Sequence, residues 1–141
     1  EKATIFSEDE KKKVLDFVKS VPSATTCLHG DLHIGNILDS SFGNLWIDLA
    51  DFSYGNPLFD FGMMYLVCRC NPDDLTKKLY HINNEAMLRF WKLFACEYFG
   101  ADTPEKFAEI ENRIRPFAAL KMLYFGIVDS HKDFIRESLL G

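Results

Sequence analysis

No stretch of this chain approaches the roughly 18 consecutive apolar residues of a membrane span, and its N-terminus lacks the basic-then-apolar order of a secretory signal. A membrane partner is therefore not expected, and the expected location is the cytoplasm. Basic clusters are scarce too. Against 16 Lys and Arg stand 21 Asp and Glu, for a formal charge of −5. The one basic run, Lys11 to Lys13, occupies consecutive helical positions that point in different directions, so it reads as a solvated face. Nucleic acid needs a coherent basic surface and is not expected as a partner; a nearly neutral or cationic small molecule suits this charge better. No C-x-x-C pair occurs among Cys27, Cys68, Cys70 and Cys96, so a zinc site is not indicated. Their apolar neighbours make them buried free thiols, in keeping with a reducing compartment. Internal repeats and low-complexity segments are also missing.

What is present is ample material for a core. A chain of 141 residues with 48% hydrophobic and 14% aromatic residues is globular, one domain in size, and able to bury roughly two thirds of its unfolded surface. Ser7 with Glu10 forms a capping box, and Val14, Leu15, Phe17 and Val18 recur at helical spacing before Pro22, which predicts a helix over about residues 8–20. Thr25 to Leu28 reads as a short buried strand. Ile37-Leu38 and Leu45-Trp46-Ile47, separated by a turn-rich connection, read as a hairpin that returns Asp48 beside Asn36.

Asn56-Pro57 has the signature of a helix start, with Asn as the cap and Pro in the first position, and the body over 58–70 is apolar nearly all round. Such a helix belongs at the centre. Further helices are expected up to about Tyr80, over 84–99 until Gly100, from Thr103-Pro104 to about Arg113, and, after a new start or kink at Pro116, over 117–128 and 130–140. The stripe Met122, Tyr124, Phe125 and Phe134 is core or interface. The fold class is mainly α with a small β-hairpin region.

The chemistry concentrates in the stretch from Cys27 to Phe61. Within it His29, Asp31 and Asn36 satisfy H-x-D-L-x-x-x-N, the spacing of a kinase catalytic loop, in which the aspartate meets an attacking hydroxyl and the asparagine holds a magnesium ion. Phosphoryl transfer leaves the protein little covalent work. It must place an oxygen nucleophile in line and neutralise charge on the phosphate oxygens, tasks for an aspartate and for oxygen ligands on a hard cation.

The run HGDLHIGNIL, followed by WIDLADFSYGNPLFDF, resembles the aminoglycoside phosphotransferase and choline kinase family of small-molecule kinases, whose pattern is close to HGDLHxGNIL…IDxxxxxxGDPxxD. The match is close over 27–61 and one of character only in the flanking helices. The resemblance implies the C-terminal (lower) lobe of a protein-kinase-like α+β fold, with the catalytic loop in 27–61 and a helical substrate-side subdomain over 62–141. It implies ATP as co-substrate and Mg2+ as cofactor, with a hydroxyl on an aminoglycoside, choline or similar small molecule as acceptor. Asp31 would then accept or orient the hydroxyl, Asn36 and Asp48 would be the magnesium ligands, and His29 and Asp60 would support the loop. Asp51-Phe52-Ser53 imitates the D-F-G of protein kinases and is the rival metal segment; Asp48 is preferred because it directly follows an apolar strand. Asn56 stands where the family usually has Asp, and Ile34 where Pro is common. Gly30 in place of the arginine of H-R-D, and the short span from Asp48 to Asp60, argue against a protein kinase.

Ahead of the first helix there is no glycine-rich loop, V-A-I-K lysine or partner glutamate. With the opening at Glu1, this leads to the expectation of a lower-lobe fragment whose ATP-gripping lobe is absent, inactive alone, and prone to self-association through a lobe-junction surface of Ile37, Leu38, Leu45 and Trp46. Two other readings compete. One is a non-catalytic kinase-like binding module. The other is a metal-dependent hydrolase with His29, Asp31, His33 and Asp48 as ligands, since H-x-D-x-H has metal-ligand spacing.

Overall fold

The computed structural model describes residues 5–141, so the opening at Glu1 lies outside the described residues. Helix α1, Glu8–Ser20, starts with the expected capping box: Ser7 N donates to Glu10 Oε2 (2.8 Å) and Glu10 N donates to Ser7 Oγ (3.3 Å). None of its residues is fully buried. Val14 and Phe17 touch the core, whereas Leu15 and Val18 face outward. Its attachment is partly polar, because Arg136 donates to both Glu10 carboxylate oxygens, at 3.2 and 2.5 Å, from the far end of the chain.

Four short strands follow: β1 Thr26–Leu28, β2 Ile37–Ser40, β3 Gly43–Trp46 and β4 Ser53–Gly55. They form two separate antiparallel pairs, β1 with β4 and β2 with β3. The second is the expected hairpin, in register Ile37 to Trp46 and Ser40 to Gly43. In the first, Leu28 alone is buried; Thr26 and Cys27 are exposed, which corrects the reading of a buried strand. A two-stranded sheet turns alternate side chains to opposite faces, and here only one face has helices to pack on.

The remaining elements are helical: α2 Leu58–Tyr65, a π-helical turn Leu66–Cys70, α3 Asp73–Tyr80, α4 Asn84–Phe99, α5 Pro104–Phe125, a 3₁₀ turn Asp129–His131 and α6 Lys132–Leu140. Helix α2 begins one residue later than expected, with Pro57 in the capping position, while Asn56 still accepts the Leu58 N–H through Oδ1 at 3.1 Å. All its residues from Asp60 onward are buried, as the centre of the domain requires. The closest approach is to α5: a Cβ on Gly62 would lie 2.6 Å from the Phe117 carbonyl carbon, so only glycine lets the two backbones meet.

The break or kink expected at Pro116 has its proline inside one continuous 22-residue helix, α5. An interior proline costs one backbone hydrogen bond, but Ile114, Phe117, Ala118 and Ala119 around it are all buried, and that burial outweighs the local loss. Met64, Met87, Trp91, Ile114, Met122 and Ile135 form the most buried layer. Trp91 Nε1 donates to Glu111 Oε1 (2.9 Å), which also pairs with Arg69 Nε (3.0 Å), so the indole's polar edge is satisfied.

Of the four cysteines, all free, only Cys68 is buried; Cys70 and Cys96 are half-buried and Cys27 is exposed. Burial pushes the thiols of Cys68 and Cys70 up to about 12. Among the described residues no helix is long and apolar enough to cross a membrane. At the hairpin Leu38, Leu45 and Trp46 are exposed as expected, with Phe42 at the tip most exposed of all, whereas Ile37 is half-buried.

Candidate active site

The loop after β1 is hung from Asp60 in the first turn of α2. One carboxylate oxygen accepts the His29 N–H (2.7 Å) and the other the Gly30 N–H (2.9 Å). Asp60 is buried, so these two charge-assisted bonds are what make its burial tolerable. Gly30 has φ +87°, and a Cβ there would fall 2.3 Å from the Asp51 carbonyl oxygen. This is the physical reason that glycine stands where protein kinases carry arginine. The Gly30 carbonyl accepts from the Lys121 ammonium on α5. Lys121 was not legible in the sequence, since 91 residues separate the partners and no motif spans them.

The ring of His29 is used at both nitrogens. Nδ1 accepts the Asp31 N–H (3.3 Å), which leaves the proton on Nε2, and Nε2 donates to the Ile47 carbonyl (2.9 Å). Asn36 works from the other side. Its Nδ2 donates to the Asp31 carbonyl (2.9 Å) and lies 3.4 Å from Asp31 Oδ2, while its own carbonyl accepts the Ile47 N–H (3.0 Å). Ile47 is thus held at both ends by the loop, and Asp48 is the next residue. Asp48 has φ 59°, a left-handed conformation that aspartate tolerates better than most residues, and it is exposed.

Asp31 is the least satisfied member. Oδ2 faces His33 Nε2 at 3.5 Å, and His33 is oriented by the Gly35 N–H donated to its Nδ1 (3.1 Å). Oδ1 is buried and has no partner among the described residues. A buried acceptor without a donor is costly and calls for a role. Nearby, Tyr80 packs its ring edge-on to His33, and its phenol is pushed up by burial first and by the charge of Asp31 second.

The structure therefore brings Asp31 and Asn36 into contact, ties His29 and Asp60 to the same loop, and places Asp48 beside it through Ile47. Asp51 is also exposed, and its backbone packs against Gly30 of the same loop. The acceptors this loop could offer a cation are oxygens: because Asn36 turns Nδ2 to Asp31, its Oδ1 is left as an acceptor, and the carboxylate of Asp48 would have to be the second ligand. Such donors fit a hard ion of the magnesium type. The hydrolase reading fares differently. Among the described residues no three His, Cys, Asp or Glu side chains gather as metal ligands, and both nitrogens of His29 already have partners.

A helical domain that suspends an H-x-D-x-x-x-x-N loop between a helix-borne aspartate and a hairpin has the construction of a kinase-like phosphotransferase. The model of the phosphotransferase enzyme family (APH) matches residues 8–91, from α1 into α4. The match spans more than half of the chain and includes the whole loop, and the chain belongs to this family. Neither the curated proteins nor the solved structures contain a match to it.

Proposed function

We propose that the protein transfers the terminal phosphoryl group of ATP to a hydroxyl of a small molecule such as an aminoglycoside or choline, with the described residues as its catalytic lower lobe. The observation that carries this reading is the buried, unpartnered Oδ1 of Asp31 in a loop fixed from three directions. Asp31 receives the hydroxyl at that oxygen, orients it, and takes its proton as the phosphoryl group leaves ATP. His29, Asp60 and Asn36 hold the loop so that the acceptor oxygen is in place before reaction. Asn36 and Asp48 would hold a magnesium ion, which when bound would neutralise charge on the phosphate oxygens.

The reading assigns the grip on ATP to a lobe outside residues 5–141, roofing the hairpin face where Leu38, Leu45 and Trp46 are exposed. Without that roof, a second copy of the chain covers this face, and light scattering across a concentration series should show the isolated chain self-associating. The cytoplasm, which keeps thiols reduced, suits its four free cysteines; nucleic acid and membrane are not partners.

The test is transfer from γ-labelled ATP in the protein that carries its nucleotide-gripping lobe. Asp48→Ala should weaken magnesium-nucleotide binding and turnover together, while Asp51→Ala should leave both near wild type. The reverse pattern would move the metal site to Asp51. The isolated chain should turn over well below about 1 per second, the low end for kinases.

A further inference from the structure

A cleft of about 450 Å³ opens between the β1–β4 sheet and the C-terminal turns of α5, and Asp31 is not among its lining residues. Its walls are mainly apolar, from Leu28, Phe59, Leu120 and the rings of Tyr124 and Phe125. Three charged residues line it: Asp51, Asp60 and Lys121. Asp60 is already committed, since each of its oxygens accepts a backbone N–H. The other two flank Gly30. Lys121 donates to the Gly30 carbonyl, and a Cβ placed on Gly30 would lie 2.6 Å from the Asp51 Cβ.

Opposite charges thus stand on either side of one residue, yet among the described residues no ion pair joins Lys121 to Asp51 or either of them to any other group. An ammonium has three donors and the Gly30 carbonyl uses one of them. A ligand that brings one charge only would satisfy Lys121 or Asp51 and leave the other facing it unpaired. A ligand that brings both satisfies both, with a charge-assisted bond at each end.

We propose that this cleft binds a small zwitterion with an apolar side chain, of the α-amino acid class. The carboxylate meets Lys121, the ammonium meets Asp51, and the side chain lies among Phe59, Tyr124 and Phe125. The volume is within the usual range for small-molecule sites, about 300–1,000 Å³. Two oppositely charged contacts give selectivity against acids and amines alike, because each such competitor leaves a charge unpaired. Lys121 also holds the residue before Asp31, so occupancy is transmitted to the loop through the Gly30 carbonyl.

The test titrates L-phenylalanine into the full chain and follows backbone amides by NMR, with hydrocinnamate and phenethylamine as analogues that each lack one charge. L-Phenylalanine should bind with a dissociation constant on the order of 1 mM or lower, shifting the amides of Gly30, Ser53 and Gly55. Each analogue should bind at least about tenfold more weakly, and Asp51→Asn should cost L-phenylalanine a similar factor. Because Lys121→Met also releases Gly30, the analogue series and Asp51→Asn carry the test without it. No shift at these three amides, or equal binding by an analogue that lacks one charge, overturns the proposal. No nucleotide enters the measurement, so its outcome is separate from whether Asp31 transfers phosphate.

Discussion

The candidate catalytic stretch from Thr26 to Pro57 and the helical body from Leu58 onward are held together by different means. In the body, side chains such as Met64, Met87, Trp91 and Ile114 are almost wholly buried, and the stabilisation is removal of apolar surface from water. In the stretch, every residue from Ser41 to Tyr54 is exposed, and shape is set by a few polar clamps: Asp60 on two N–H groups, His29 on Ile47, Asn36 on Asp31, Lys121 on Gly30. Two of those clamps, Asp60 and Lys121, are side chains of the body. The body thus lends rigidity to a loop that has Leu32 as its one buried apolar side chain, and Asp31 keeps one buried oxygen without a partner among the described residues.

If this division is right, damage to the two regions should look different. The largest effect on stability should come from Trp91→Ala, which empties a fully buried site and leaves Glu111 without its indole donor. A loss of about 3–5 kcal/mol in denaturant unfolding is expected, shared by the whole domain. Asp60→Asn comes next. It removes the charge from an acceptor that holds two amides and should cost about 1.5–3 kcal/mol. Hydrogen exchange should rise first at His29 and Gly30 and hardly at all in α4. If exchange rose equally throughout, the clamp would be part of the core and the comparison would fail.

The smallest effect concerns α1. The Arg136 guanidinium beside Glu10, helped by the Ser7 N–H, holds the Glu10 carboxyl down at about 2, below its ordinary 4.5. A depressed folded-state value means that the clasp contributes fully above about pH 4.5 and is lost as pH falls toward 2. Glu10→Gln should therefore lower stability slightly at neutral pH and flatten the acid limb between those values. Because Glu10 is only half-buried and still reached by solvent, the loss should also shrink in high salt. Thermal melts across pH and salt would show this.

How legible each region was follows from the same division. Helices were readable where local signals and burial agree: the Ser7–Glu10 box set the start of α1, and Gly100 ended α4 in a left-handed conformation. At Pro116 the alternative of a new helix start fails, because contacts with α2, invisible along the chain, carry the helix through the proline. The π-helical turn Leu66–Cys70 was likewise hidden inside an apolar run that fits an ordinary helix equally well. In the candidate catalytic stretch the spacing of His29, Asp31 and Asn36 survives as local geometry, since the asparagine stands only five positions after its aspartate. Strand β4 and Lys121 were not readable, for each acquires its role only from a partner brought near by folding: β1 for the strand, Gly30 for the lysine.

The central claim is that Asp31 offers Oδ1 to an acceptor hydroxyl and does so without helping to hold nucleotide. The most direct measurement is phosphoryl transfer from ATP and ATP affinity, both determined for Asp31→Asn in the protein that carries its nucleotide-gripping lobe. Asparagine keeps the size of the side chain and removes its basic oxygen. The account predicts turnover lower by about a hundred- to ten-thousandfold, the usual worth of a positioned base, with ATP affinity nearly unchanged. Turnover within a fewfold of wild type, or an equal loss of nucleotide affinity, would contradict it.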